Sequence, residues 1–345
     1  MRLDDFNYKL PKSLIAQKPA SPRDGSRLFV INRKTNRFCH KKFRDIGDFL
    51  KKGDVIVLNQ SKVLPARLFG KKQSTKGKVE ILLLNPVDRT NGLWGDEWVI
   101  IGQPNISLGQ RIVFAGNFLG DIIGDLGYEK IIKFNKKGNV LKRLIFSLGQ
   151  APLPPYIRHY RGKKIRNDYQ TVYAKIFGSV AAPTAGFHFT KDLMEGLRKK
   201  GIVFKYVTLH IGLGTFQPIK TSQVEKHRMH SEWARIDEKT AQFLNKAKQN
   251  GQRIIAVGTT ATRTMESFAK DGKLQADEKL VDIFIYPIYK FKFIDGLITN
   301  FHLPKSTPLL LTCAFSDRAT ILRAYKEAMN KKYRFYSFGD AMFIY

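Results

Sequence analysis

The sequence predicts an α/β main domain, layered around a mixed sheet, that carries an inserted small all-β barrel domain. Three observations lead there. Helix, glycine and strand patterns alternate through residues 152–345. A series of short apolar runs, broken by turn residues and lacking a helical period, fills residues 67–151. Strand patterns of the alternating kind also stand before that series, within residues 1–66.

The elements follow in order. "RLFVIN" and "VIVLN" read as strands, and "FRDIGDFLKKGD" between them reads as a short helix. Next come "VEILLL", "EWVIIG", "QRIVFAG", "DIIGDLG" and "EKIIKF", the repeated short strands of a barrel or sandwich. "APLPPY", Ala151 to Tyr156, is a stiff junction out of that region. Beyond it, Thr190 is a good N-cap, Asp192 sits in the first turn where the helix dipole favours it, and Gly201 ends the helix. "IVFKYVTLH" is then a buried strand leading into "IGLGTF". The unit recurs as helix "DEKTAQFLNKAKQNG", strand "RIIAV" and loop "GTTATRTMES". A third strand, "DGLITN", precedes "FHLPKSTPLLL" and a last helix, "RATILRAYKEAMNKK". Such alternation implies a layered α/β domain. The β-rich stretch interrupts it, so residues 1–66 and 152–345 form one discontinuous domain and residues 67–151 the insertion.

Composition limits the function. A 43% hydrophobic content with 12% aromatics supplies a core and excludes a disordered chain. No apolar run approaches the ~18 residues that span a bilayer, and the polar opening "MRLDDFNYKL" carries no secretory signal. Cys39 and Cys313 stand far apart, as plain thiols. A soluble cytoplasmic protein is expected. The extreme number is the charge: 60 Lys+Arg against 29 Asp+Glu give +31, a field that favours polyanions. Locally, "YIRHYRGKKIRNDYQ" interleaves Arg158, Arg161, Lys163, Lys164 and Arg166 with Tyr156, His159, Tyr160 and Tyr169. Cations for phosphates alternating with rings for exposed bases is what single-stranded nucleic acid requires; a solvated loop is the plainer alternative.

Ligands of open α/β sheets bind beyond the C-terminal strand ends. That rule gathers three loops, His210 to Phe216, Gly258 to Thr264 and Asn300 to Thr307, each mixing small residues with hydroxyls or histidine. "GLGTF" lacks the later glycine of a dinucleotide motif. "GTTATRT" opens a helix whose free N–H groups suit a carboxylate or phosphate, or else is threonine capping alone. His188, His210, His227, His230 and His302 fall in or beside these loops, as acid/base groups or as hydrogen-bonded structural residues. "HRMHSE" sets His227, His230 and Glu232 at a spacing that could ligate a metal on one helical turn, without the H-E-x-x-H order. Among the scarce carboxylates, Glu232, Asp282 and Asp340 stand in loops. No nucleophile elbow or Ser–His–Asp order is present. Residue chemistry alone describes a hydroxyl- and histidine-lined cleft with a polyanionic partner, and leaves the reaction open.

At these same residues the chain resembles the QueA family, the S-adenosylmethionine:tRNA ribosyltransferase-isomerases of queuosine synthesis. The likeness runs end to end through "SRLFVINR", "VIVLNQSKVLPARLFG", "APTAGFHFT", "VTLHIGLGTFQPI", "HRMHSEWARI", "AVGTTATRTMES", "DIFIYPIYKF", "LITNFHLPKSTPLLL" and "YRFYSFGDAM". Departures are small: Asn59, Gln60 and Ser61 where the family more often shows "LNNTKV", and Pro308 where it usually has leucine. The resemblance implies an α/β domain with an inserted barrel. It also implies transfer of the ribosyl part of S-adenosylmethionine to 7-aminomethyl-7-deazaguanine at the tRNA wobble position, giving epoxyqueuosine, adenine and methionine. S-adenosylmethionine is then a co-substrate, with no metal, and the protein a monomer. Proton transfers are expected from His188, which faces the cleft in this reading, or from His210, His302 or Glu232. Donor contacts are expected from Thr184, Gly186, Gly212, Gly214, Thr259, Thr260 and Asn300. For tRNA, Arg67, Arg158, Arg161, Lys163, Lys164, Arg166, Arg263 and Lys305 are the candidates. A tRNA methyltransferase would use the same donor but yield S-adenosylhomocysteine, and a metal-dependent hydrolase would need bound zinc.

Overall fold

The computed structural model describes residues 1–88, 93–158, 165–212 and 219–345. The chain opens with the hairpin β1 (Arg27–Asn32) and β2 (Arg37–Lys42), then a 3-10 helix, Phe43–Phe49. Strand β3 (Val55–Asn59) runs into the short β4 (Ser61–Val63). Six strands follow: β5 (Arg67–Lys72), β6 (Lys78–Pro86), β7 (Glu97–Gln103), β8 (Arg111–Ala115), β9 (Phe118–Leu126) and β10 (Glu129–Phe134). They close into a barrel in the order β10-β7-β6-β5-β8-β9. Alternate side chains point inward, so Trp98, Ile112, Phe118, Ile132 and Phe134 fill its interior.

Helix α1 (Gly138–Leu148) then packs on the barrel. The sequence reading expected only strands here. Leu141, Leu144, Ile145 and Leu148 repeat at helical spacing and turn one face onto the barrel core, so the period was present but short. The chain returns beside its point of departure: Arg67 and Gln150 exchange both backbone hydrogen bonds, at 3.1 and 2.8 Å.

After the one-turn α2 (Ile165–Asp168), β11 (Ile176–Ser179) pairs in parallel with β4. A 3-10 turn, Thr184–His188, leads to α3 (Lys191–Lys199), whose N-cap Thr190 accepts from the Leu193 N–H at 3.1 Å, as expected. Then come β12 (Val203–Leu209), β13 (Glu232–Ile236), α4 (Glu238–Gln249), β14 (Ile254–Val257) and α5 (Gly258–Phe268). A small hairpin, β15 (Ala269–Lys270) and β16 (Lys273–Leu274), precedes β17 (Asp277–Val281) and β18 (Gly296–Asn300). Helices α6 (Thr307–Phe315) and α7 (Arg318–Asn330) and strand β19 (Ala341–Ile344) complete the chain. Helix α6 begins at Thr307, where the expected Asn300–Thr307 loop ends. Ser306 caps it through the Leu309 N–H, with Pro308 in the first turn, where its missing N–H does no harm.

The main sheet has the order β17-β13-β12-β3-β14-β18-β19-β1-β2. Its four central strands, β12, β3, β14 and β18, are mutually parallel, and antiparallel strands flank them. Both faces are covered, which explains the unbroken burial of β3, β14 and β18. The pleat divides β3 accordingly: Val55 and Val57 join the core under α4, α5, α6 and α7, while Ile56 and Leu58 join that under α3 and the Phe43–Phe49 turn. Parallel pairing brings Leu209, Asn59, Val257 and Asn300 to one end of the sheet. Among the described residues no helix is long and apolar enough to cross a membrane.

Candidate active site

A cleft lies at that end, lined by Thr184 and Ala185 of the 3-10 turn, Gly258, Thr259 and Thr260 of α5, Thr299 and Asn300 at the end of β18, and His302 beyond it. Tyr156, Tyr169, Tyr336 and Ser337 stand on another side of its wall. "GTTATRT", read as loop and as the opening of a helix, supplies the first turn of α5, which starts directly from β14. Gly258 has φ +84°, a conformation that permits the sharp turn, and a Cβ there would lie 3.4 Å from that of Ala185. Val257 offers no side-chain cap, so the first-turn N–H groups stay open and carry the positive end of the helix dipole into the cleft. Asn59, ending β3, braces this turn. Its amide donates to the Leu209 carbonyl at 3.0 Å and to Thr260 Oγ1 at 3.2 Å.

Asn300 is the centre of a relay. Thr184 Oγ1 donates to its Oδ1 at 2.9 Å, and its Nδ2 donates to His188 Nε2 at 3.1 Å. His188 Nδ1 then holds the ring proton and donates to Ser26 Oγ at 2.8 Å. Burial, with Arg334 and Arg23 adding repulsion, pushes the His188 imidazolium down to about 3. His188 is thus neutral with both nitrogens engaged, and it does not face the cleft as expected, because Asn300 stands between. His302 does line the cleft. Its Nε2 meets Thr299 Oγ1 at 2.8 Å, and burial lowers its pKa to about 3. Tyr325 accepts from its backbone N–H at 2.9 Å, and the Tyr8 hydroxyl donates to its carbonyl.

Both rings titrate far below the ordinary 6.5. The unfolded chain therefore binds more protons than the native one as pH falls below about 6.5. Stability that is complete above that value is lost progressively toward pH 3. Urea midpoints should decline already between about pH 6.5 and 5, before most carboxylates titrate, and His188→Gln should flatten that decline.

The other expected site residues scatter. The His210 ring stacks on Trp233 (4.8 Å, 18°) and lies over Gly178, where a Cβ would come within 2.5 Å of Nε2; it does not line the cleft. Glu232 is buried against Arg263 and also accepts from the Gly212 N–H at 2.8 Å. That contact occupies the Gly212 amide expected for the donor. It also corrects Arg263, which is 6% exposed and engaged with Glu232 and the Ile283 carbonyl, and so presents no face to phosphates. Gly186 is closed over by Tyr173, whose hydroxyl would lie 1.8 Å from an added Cβ. His227 follows a 3-10 turn while Glu232 opens β13, so these residues do not share one helical turn. Among the described residues no group of three or more His, Cys, Asp or Glu could hold a metal ion.

Of the tRNA candidates, Arg158 is exposed and Lys305 donates to Asp4 at 2.6 Å. Arg67 lies 3.0 Å from Glu80 on the barrel. Arg166 donates to the Phe146 carbonyl at 3.0 Å and to that of Gly149. Arg161, Lys163, Lys164 and Gly214 lie outside the described residues, as do His159 and Tyr160. Tyr156 and Tyr169, read as base-stacking rings, are instead wall residues: Tyr156 bonds Ser337 Oγ at 2.6 Å, and Tyr169 packs on Phe187 and Phe338. Sequence reasoning missed Asn59, Ser26 and Ser337 as site residues. For Asn59 a signal existed, an amide closing the otherwise apolar "VIVLN" at the same sheet end as "DGLITN".

Comparison with known proteins adds the following. The family model described as queuosine biosynthesis protein matches residues 3–344. A protein of Sulfurihydrogenibium sp. (strain YO3AOP1), named S-adenosylmethionine:tRNA ribosyltransferase-isomerase, is 47% identical over 344 residues, covering all of both chains. One of the same name from Symbiobacterium thermophilum is 46% identical over 349 residues, again at full coverage. The crystal structure of S-adenosylmethionine tRNA ribosyltransferase from Thermotoga maritima matches with a TM-score of 0.56 and 35% identity, covering 99% of this chain and 100% of that one.

Proposed function

The chain belongs to the queuosine biosynthesis protein family, and from that premise we propose how its cleft carries out the family's ribosyl transfer. The protein is an enzyme, an S-adenosylmethionine:tRNA ribosyltransferase-isomerase that modifies tRNA. It moves the ribosyl group of S-adenosylmethionine onto the aminomethyl nitrogen of 7-aminomethyl-7-deazaguanine in the anticodon, yielding epoxyqueuosine and releasing adenine and methionine. A cytoplasmic monomer working without metal completes the reading.

The observation that carries the site assignment is the uncapped N-terminus of α5 opening beside the Thr184–Asn300–His188 relay. The donor's methionyl carboxylate belongs on the first-turn N–H groups, with the hydroxyls of Thr259 and Thr260 at hand. Thr184 and Asn300 suit the ribose hydroxyls. The sulfonium acidifies the adjacent ribose carbon, and departing adenine must gain a proton or a hydrogen bond. His302, a neutral imidazole on the cleft wall, is the group assigned to proton transfer. His188 holds Asn300, and Glu232 holds Arg263 and Gly212.

Incubation with S-adenosylmethionine and precursor-bearing tRNA should release adenine and methionine in equal amounts, read by mass spectrometry. S-adenosylhomocysteine in their place would make the protein a methyltransferase, and activity lost to a chelator would make it a metalloenzyme. For the polyanion, replacing Arg158, Arg161, Lys163 and Lys164 together with glutamine should weaken tRNA binding and lower the slope of log K against log salt by about 3. An unchanged slope removes that segment from the interface.

A further inference from the structure

Tyr169 belongs to two cavities. One is the cleft described above. The other is a groove between the barrel side and the α/β side of the molecule, lined by Lys62, Pro65, Phe146, Arg166, Gln170 and Phe177 among others. The Tyr169 side chain is 1% exposed and is the wall between them. Its hydroxyl lies beside the Ala182 backbone and Ser337 yet completes no hydrogen bond of normal geometry. Buried hydroxyls are normally satisfied, so an orphan at a partition between two cavities points to a partner that arrives with a ligand.

The groove has the chemistry of a nucleotide site. Among the described residues no carboxylate lines it. Phe146 and Phe177 meet edge to face at 5.0 Å, and Lys62 Nζ lies 4.7 Å from the Phe177 ring centre. Arg166 bonds two backbone carbonyls, so it contributes charge to the rim rather than free donors. Gln170 fixes the shape by pairing with both backbone groups of Val63, each at 3.0 Å. Rings beside cations, with no opposing acid, select a base with its phosphate.

We propose that this groove takes the acceptor nucleotide of the tRNA, and that Tyr169 is the partition across which its amine meets the donor ribose. The inference rests on the ribosyltransferase reading. In it, the Tyr169 hydroxyl gains its missing hydrogen bond from the aminomethyl nitrogen and holds that nitrogen toward the cleft. Tyr169 is then specific to the acceptor, while the α5 turn is specific to the donor.

The test uses the full chain, S-adenosylmethionine and precursor-bearing tRNA. Tyr169→Phe should bind S-adenosylmethionine within about twofold of wild type, while single-turnover transfer at saturating tRNA falls about tenfold or more. Lys62→Glu, on a half-exposed side chain, should raise the KM for tRNA about tenfold with donor affinity unchanged. Wild-type transfer by Tyr169→Phe together with wild-type KM for Lys62→Glu would overturn the proposal. So would a loss of donor binding in Tyr169→Phe as large as its loss of transfer. Should Tyr169→Phe fail to fold, the Lys62→Glu result decides alone. If wild type itself releases no adenine, the ribosyltransferase premise fails instead, a result the variants cannot imitate.

Discussion

Replacing Arg263 with methionine should remove about 3–5 kcal/mol of folding stability, the range for stranding a buried charge. Its partner Glu232 is 4% exposed and pairs with no second cation among the described residues; its other oxygen already accepts from the Gly212 N–H. The surface pair Lys199–Glu195 gives the contrast. Both of its side chains are well exposed, and Lys199→Ala should change stability by less than about 1 kcal/mol. Adding Glu232→Gln to Arg263→Met removes the stranded charge and should recover a good part of the loss, because the two residues form one interacting unit. Urea unfolding of the single and double variants checks this. A loss below about 1 kcal/mol for Arg263→Met would mean that the carboxylate reaches water. The pair joins β13 to α5, so the variant should also weaken donor binding by loosening the turn that lines the cleft.

Asn300→Leu should lower single-turnover adenine release about 100-fold or more, as the loss of an aligned active-site donor commonly does. It also leaves Thr184 Oγ1 and His188 Nε2 without their partner, at a cost of about 1–3 kcal/mol in stability. His188→Gln is the discriminating companion. A glutamine oxygen can accept from Asn300 Nδ2 as the imidazole does, so this variant should keep activity within about tenfold of wild type. If His188→Gln abolished adenine release as completely as Asn300→Leu, then His188 would transfer protons rather than hold an amide.

Strands and barrel were legible because their burial is written in residue type. "VIVLN" and "GLITN" sit at the centre of the sheet, covered on both faces, and so are apolar until the polar residues at their C-terminal ends, Asn59, Thr299 and Asn300. Helix α1 was not legible, since its four apolar positions followed five strands and continued their look. The loops that carry the cleft were found by topology alone, through the rule of strand ends. Roles within it were not. Five histidines look alike in a sequence, yet one lines the cleft, one is turned inward to an amide and one stacks on Trp233. Arg263 and Arg158 both read as cations for phosphate; burial beside Glu232 separates them, and burial is a property of the assembled sheet. Tyr169 misled for the same reason, being an aromatic in a basic stretch whose ring folds inward.

The double hydrogen bond between Arg67 and Gln150 has a consequence for assembly. Between them the chain builds the whole barrel and α1, and then resumes where it left off. Were that segment a random coil, drawing its ends together would cost on the order of 4 kcal/mol in loop-closure entropy, borne by the sheet when β11 finds β4. A formed barrel already holds those ends side by side. On its way back to β4, strand β11 (Ile176–Ser179) then has only the stretch from Gln150 onward left to close, and the long excursion in sequence becomes a shorter one in the order of folding events.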